Sequence, residues 1–274
     1  MAVEVPGLTL NDGTTVPAVG FGTYPLAGAG GVQAIRSALD QGYRLLDSAF
    51  NYENEGAVGE AVRTSGIPRE DLRVVSKLPG RHHAHAEAMD TIQESVYRAG
   101  LDYYDLYLIH WPNPRIGKYA EAWKALVDAQ ARGLVRSIGV CNFLPGHLER
   151  IIQATGVTPS VNQIELHPYF PQQEQRAFNA AAGILTQSWS PLGRANALLS
   201  ETGDGGHLGV GQLEVEQPEV FPLAIWLGRL GQRHGAKLHV PAQDDLGDRI
   251  TVSLRDGAYH WLGQKRVRPP QRAP

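Results

Sequence analysis

From Val16 to Gly193 the chain alternates short, almost wholly apolar runs with longer stretches whose apolar residues recur every three or four positions. The runs are VPAVGFGTY, YRLLDSA, LRVVSKL, DLYLIHW, VRSIGVCN, SVNQIEL and ILTQSWSPLG. Runs that are apolar on nearly every residue predict strands of a parallel sheet covered on both faces by helices. Between them lie Val32, Ile35, Ala38 and Leu39; Val58, Ala61 and Val62; Met89, Ile92, Val96 and Ala99; Trp123 and Leu126; Leu148, Ile151 and Ile152; and Phe178, Ala181 and Ala182. Each set lays one apolar stripe along a helix. Ahead of the first run, Asn11-Asp12-Gly13 is a hairpin-turn signal. Seven consecutive strand units, most of them followed by such a helix at about 30 residues per unit, indicate an α/β fold. They favour a (β/α)8 TIM barrel over a doubly wound open sheet. No G-x-G-x-x-G follows the first strand, and GAGG at 28–31 has a different spacing, so a Rossmann site is not indicated.

The strands stop being apolar at their carboxyl ends, where a barrel enzyme builds its active site. Asp47, Lys77, His110, Cys141-Asn142, Gln163 and Ser188-Trp189-Ser190 stand there in successive strands. Singly, Asp47 reads equally well as a helix cap, Lys77 as a snorkelling surface residue and His110 as a core histidine. Together they predict one site. Lys77 beside Asp47 makes a buried pair in which each charge compensates the other. Tyr52, on the loop after Asp47, is within reach of that pair, and an adjacent ammonium lowers a phenol from its ordinary pKa of about 10. Such an acid suits carbonyl reduction, where hydride addition builds negative charge on oxygen, with His110 donating or orienting a hydrogen bond. Asn142 and Gln163 suit the amide of a nicotinamide ring, and Trp189 its face. Tyr24, Phe50 and Trp111 are candidate apolar walls of a substrate pocket. His82, His83 and His85 carry enough imidazole for a metal, but the segment reads better as a solvated loop, with a substrate contact as the alternative, and no metal is expected.

VGFGTY, RLLDSAFNYENEGAVGEA, VVSKL, DLYLIHWP, GLVRSIGVCNF, VNQIELHPY and SWSPLG together resemble the aldo-keto reductases, most closely the bacterial branch of 2,5-diketo-D-gluconate reductases. The resemblance covers residues 8–194. It implies that Tyr52 is the general acid, that Asp47 and Lys77 tune it, and that His110 orients the carbonyl. It also implies NADPH as cofactor, held by Gly22, Thr23, Asp47, Asn142, Gln163, Trp189, Ser190 and Leu192, and small aldehydes, ketones or keto-sugars as substrates. Ser48 and Cys141 stand where the family more usually has Thr and Ser.

From about Glu201 the resemblance ends. ETGDGGHLGVGQ reads as a Gly-rich loop, and PEVFPLAIWLGRLGQRHG as a helix through Leu223, Trp226, Leu227 and Leu230. DRITVSLRDGAYHWL reads as a hairpin about Asp256-Gly257, before a basic, Pro-rich end. No eighth strand is recognisable, so exposed edges are expected on the first and seventh. The phosphate-binding turn that follows the eighth strand in the family is not recognisable either, which predicts weak NADPH binding with little preference over NADH. A divergent ending that supplies a substitute strand, a recombined end and translation in a shifted frame all fit this change, and its abruptness favours the last. An inert relative of the reductases is therefore the alternative function. A barrel metal hydrolase is disfavoured because VGFGTY offers no His-x-His.

Length and charge narrow the partners. At 274 residues with 42% hydrophobic content, one domain spanning 1–274 is expected. A net charge of −3 argues against nucleic acid and anionic lipid. Cys141 is the sole cysteine, and no apolar run approaches the roughly 20 residues that span a bilayer. A cytoplasmic monomer is expected.

Overall fold

Both ends of the barrel are built from the runs just described. The computed structural model describes residues 5–167 and 170–191, together with the backbone of strands at 224–227, 237–241, 248–255 and 258–266. The described residues of Gly7–Pro191 and Pro222–Gly228 form one compact unit, and the strands beyond Arg229 belong to a second.

In the first unit, β1 (Gly7–Thr9) and β2 (Thr15–Pro17) make an antiparallel hairpin about Asn11-Asp12-Gly13, with Gly13 at a φ of 85°. Asp12 accepts hydrogen bonds from the Thr14 amide at 3.0 Å and from Ser160 Oγ at 2.9 Å, and Thr14 Oγ1 lies 2.7 Å from Ser137 Oγ. Ser137 and Ser160 sit near the starts of their strands, so the hairpin is pinned across the amino-terminal end of the barrel. The VPAVGFGTY run divides accordingly: Val16 and Pro17 belong to the hairpin, and only Val19–Gly22 enters the barrel.

The barrel strands are β3 (Val19–Gly22), β4 (Leu45–Asp47), β5 (Arg73–Leu78), β6 (Tyr104–Ile109), β7 (Val135–Cys141), β8 (Val161–Glu165) and β9 (Leu185–Trp189), each parallel to the next. α1 (Gly28–Asp40), α2 (Glu55–Thr64), α3 (His85–Ala99), α4 (Tyr119–Ala131), α5 (Pro145–Thr155) and α6 (Gln173–Ala181) follow successive strands. Their stripes form the layer between helices and sheet, where Ile35, Leu39, Val58, Ile92, Trp123, Leu126, Leu148 and Ile151 are buried.

The closing strand corrects the sequence expectation. β10 (Ala224–Leu227) pairs in parallel with β3 (Ala224 opposite Val19) and with β9 (Ala224 opposite Ser188), completing a closed eight-stranded barrel. The segment expected as a helix through Leu223 and Leu230 therefore contains a strand, and the edges of β3 and β9 are paired. The run LAIWL fits helical periodicity, but it is also a short continuous apolar run between Pro222 and Gly228, which suits a buried parallel strand as well. The open place between two strand edges decides between them.

In the second unit, β11 (Lys237–Pro241), β12 (Asp248–Arg255) and β13 (Ala258–Arg266) form an antiparallel sheet. Arg255 pairs with Ala258, so β12 and β13 are antiparallel neighbours, and the expected turn residues Asp256 and Gly257 lie outside the described residues. The Gly-rich segment 201–212 and the basic end lie outside the described residues.

Candidate active site

Two loops at the carboxyl end of the barrel are stitched together before any charged side chain is placed. The amide and the hydroxyl of Thr23, which follows β3, both donate to the Asp47 carbonyl at 2.9 Å. Asn54 is buried; its Nδ2 donates to the carbonyls of Thr23 at 2.9 Å and Leu26 at 2.8 Å, and its Oδ1 accepts from Ser48 Oγ at 2.7 Å. Asp47 is thereby fixed at the last position of β4, beside Gly22 at the end of β3.

The Asp47 side chain meets Lys77 from β5. Lys77 Nζ forms an ion pair with Asp47 Oδ1 and donates to the Ser48 carbonyl at 2.8 Å. Both residues are buried. Burial works against the ammonium, but Asp47, Tyr52 and Cys141 outweigh it and hold the Lys77 pKa well above its ordinary value. Tyr52 closes over the pair, with Lys77 Nζ 5.3 Å from its ring centroid, the His110 ring 5.9 Å away edge-on, and the Tyr24 ring at 5.1 Å. The structure thus brings Asp47, Tyr52, Lys77 and His110 into one cluster.

One electrostatic expectation is overturned. Lys77 does pull the Tyr52 phenol down, but burial pushes it up more strongly and Asp47 adds to that, so its pKa is raised. The phenol accordingly keeps its proton at neutral pH, as a proton donor must. Burial, reinforced by Lys77, pushes His110 down to about 3. Its imidazole is neutral, and Nδ1 has no partner among the described residues.

The candidate amide-binding residues surround this cluster. Asn142, at a φ of 61°, donates Nδ2 to the His110 carbonyl at 3.2 Å and accepts the indole N–H of Trp189 at 2.9 Å. Gln163 Nε2 donates to Asp47 Oδ2 at 3.0 Å and to Gln187 Oε1 at 2.8 Å, while its Oε1 faces the Cys141 thiol at 3.8 Å. Ser190 is buried directly after β9 at a φ of 51°. Leu192 lies outside the described residues.

Of the candidate pocket walls, Tyr24 and Trp111 are 52% and 48% exposed beside the cluster residues Tyr52 and His110. Phe50 is placed differently: it is buried, edge-on to His82 at 5.7 Å, with the guanidinium groups of Arg81 and Arg98 5.6 and 4.2 Å from its ring centroid. The reading of the histidine segment as a solvated loop also needs correction. His83 is buried, and burial pushes it down to about 4, whereas His82 Nδ1 lies 2.8 Å from Thr91 Oγ1 and His85 Nε2 lies 2.7 Å from Asp128 Oδ2. His82 and His85 turn to separate partners because α3 begins within the segment, while both ring nitrogens of His83 are buried with no partner among the described residues. Among the described residues no group of three or more His, Cys, Asp or Glu side chains is arranged to hold a metal.

Asn54, Glu55 and Gln187 were not singled out from the sequence. A buried polar residue inside an apolar run, as Gln187 is in LTQSW, was the available signal.

The aldo/keto reductase family pattern matches residues 18–239. This chain belongs to the aldo/keto reductase family. Members of this oxidoreductase family act on carbonyl compounds with NADP(H). The chain is 55% identical over 198 residues to 2,5-diketo-D-gluconic acid reductase B of a Corynebacterium species, covering 72% of each chain. It is 42% identical over 229 residues to morphine 6-dehydrogenase of Pseudomonas putida, covering 84% of this chain and 76% of that one. Among solved structures, an aldo/keto reductase from Brucella melitensis is 43% identical with a TM-score of 0.68, over 69% of this chain and 74% of that one. A Bombyx mori aldo-keto reductase in complex with NADP is 36% identical with a TM-score of 0.66, over 74% and 71%. Among the described residues of this family member, no helix is long and apolar enough to cross a membrane.

Proposed function

We propose that the protein reduces the carbonyl of small aldehydes, ketones or keto-sugars to the alcohol with NADPH, and that Tyr52 is the general acid. The observation that carries this reading is the Asp47–Lys77 ion pair lying beside a protonated Tyr52 and a neutral His110. When bound, NADPH supplies the hydride. The chain's own residues handle the oxygen. His110, neutral and able to donate from one ring nitrogen, orients the carbonyl, and Tyr52 passes its phenolic proton to the oxygen as charge develops there. Lys77 stabilises the phenolate left behind, and Asp47 keeps that ammonium charged and in place.

The amide groups present fit a nicotinamide carboxamide. Asn142 Nδ2 keeps one N–H beyond its bond to the His110 carbonyl, and the Gln163 carbonyl oxygen meets only a weak thiol donor. A carboxamide brings an acceptor and a donor to match. Trp189, its indole N–H tied to Asn142, offers a flat face for the ring.

Tyr52→Phe tests the assignment. Carbonyl reduction should fall by about 10²–10⁴-fold, with NADPH affinity from fluorescence titration changed little, because the phenol acts on the developing alkoxide. In the unaltered protein, turnover should decline only at alkaline pH, as a phenol raised above its ordinary value loses its proton. Substantial turnover by the Phe variant would assign the acid elsewhere.

A further inference from the structure

Gln187 has no part in the chemistry above, yet it is fully buried at the centre of β9 and is the strand-register neighbour of Gln163 on β8. Gln163 Nε2 uses its two hydrogens on Asp47 Oδ2 and Gln187 Oε1, at 3.0 and 2.8 Å. In the closed strand order β8 lies opposite β4, so Lys77, Asp47, Gln163 and Gln187 form a string of buried polar groups across the barrel. A carboxylate only accepts hydrogen bonds, so Asp47 dictates that Gln163 turn its NH2 group toward it. Gln187 must then present its oxygen to the same NH2 group, and its own Nε2 is left without a partner among the described residues. That orphaned donor is a consequence of the polarity imposed by Asp47: turning the Gln187 amide over would set one NH2 group against another. A fully buried strand position whose polar side chain stays half satisfied calls for a reason.

We propose that Gln187 is a positioning residue. It holds the Gln163 amide in the single orientation that leaves the Gln163 carbonyl oxygen for the N–H of the cofactor's carboxamide, and it thereby links recognition of that amide to the Asp47–Lys77 pair. With Gln187 in place, turning Gln163 over breaks two hydrogen bonds, sets its oxygen against Asp47 Oδ2, and forces the buried Gln187 amide to turn as well. With Gln187 removed, Asp47 alone restrains it. The inference rests on the reading of Gln163 as a residue that holds the nicotinamide amide.

The test compares two ligands on the full chain: NADPH, and 2′-phosphoadenosine diphosphoribose, which lacks the nicotinamide. Gln187→Leu should weaken NADPH binding about tenfold, the loss of roughly one hydrogen bond, and leave the diphosphoribose within about twofold. Gln187→Met, which keeps the length but lacks the acceptor, carries the same expectation if the Leu variant folds poorly. Gln187→Glu, which restores an acceptor oxygen, should recover the NADPH preference. Equal weakening of both ligands, or of neither, would overturn the proposal, as would failure of the Glu variant to differ from Leu. Gln163→Leu separates this failure from that of the underlying reading. If it weakens NADPH selectively while Gln187→Leu does not, only the role of Gln187 falls; if it leaves the ligand preference unchanged, Gln163 does not hold the amide and both fall.

Discussion

Directly before Lys77 on β5, the Ser76 hydroxyl donates to a carboxyl that the chemistry does not use. Glu55 Oε1 accepts from Ser76 Oγ at 2.5 Å and from the Tyr104 hydroxyl at 3.4 Å, and Oε2 has no partner among the described residues. Burial raises the Glu55 pKa, against the lowering effects of Ser76, Ser95 and Arg98. A carboxyl whose folded pKa exceeds its unfolded value stabilises the fold fully below the unfolded pKa, and that contribution is lost as pH rises through the folded one. Glu55→Gln, which cannot ionise, should therefore melt progressively higher than the unaltered protein as pH rises from 4 to 8, by roughly 2–4 °C for each kcal/mol relieved. Thermal melts across that range check this, and a difference that does not grow with pH would show that the fold does not raise the Glu55 pKa. Residues of this kind divide in legibility. Asp47, Lys77 and His110 were legible because each interrupts an apolar run at its carboxyl end. Glu55 was not, because on a helix an acidic residue reads as solvated until a sheet covers it.

Helix stripes predicted α1 to α6 well, but not how closely neighbouring helices approach. At Gly59 on α2 an added Cβ would come within 1.7 Å of the Ala99 carbonyl oxygen at the end of α3. No side chain fits unless one helix shifts. Ala is the better helix former by about 1 kcal/mol, and overpacking typically costs about 1–3 kcal/mol, so the contact should prevail. Gly59→Ala is expected to lower the melting temperature while leaving helix content by circular dichroism intact. An equal or higher melting temperature would mean that α3 yields without cost. The sequence marks Gly59 only as a mid-helix glycine, because close approach is a property of two elements.

At the scale of the molecule, closure rests on four residues. Ile225 pairs with Gly20 of β3 on one side and Trp189 of β9 on the other. Proline there removes a ladder N–H from a strand paired on both edges, at about 1–3 kcal/mol for the acceptor left unsatisfied. Ile225→Pro should therefore melt several degrees lower and bind NADPH more weakly, since Trp189 and Ser190 follow from the same strand pairing. Unchanged melting and binding would show that β10 does not hold the barrel shut. The sequence expectation of weak, unselective NADPH binding rested partly on a missing strand. With β10 in place, the part of that expectation that remains concerns the phosphate contacts, and paired NADPH and NADH titrations measure it.

The sequence by itself determined the strand and helix alternation, the barrel class and the cluster of Asp47, Tyr52, Lys77 and His110. Each of these depends on local period or on position along a single strand, and such information is written in order along the chain. Tertiary structure decided that AIWL is a strand, because a helix and a buried strand share its apolar pattern and only the space between β3 and β9 distinguishes them. It decided that burial outweighs Lys77 at Tyr52, because desolvation depends on everything packed around the phenol. It also decided that Asp47 is tied to Gln163 and Gln187, residues more than a hundred positions away, because that contact exists only once the barrel closes.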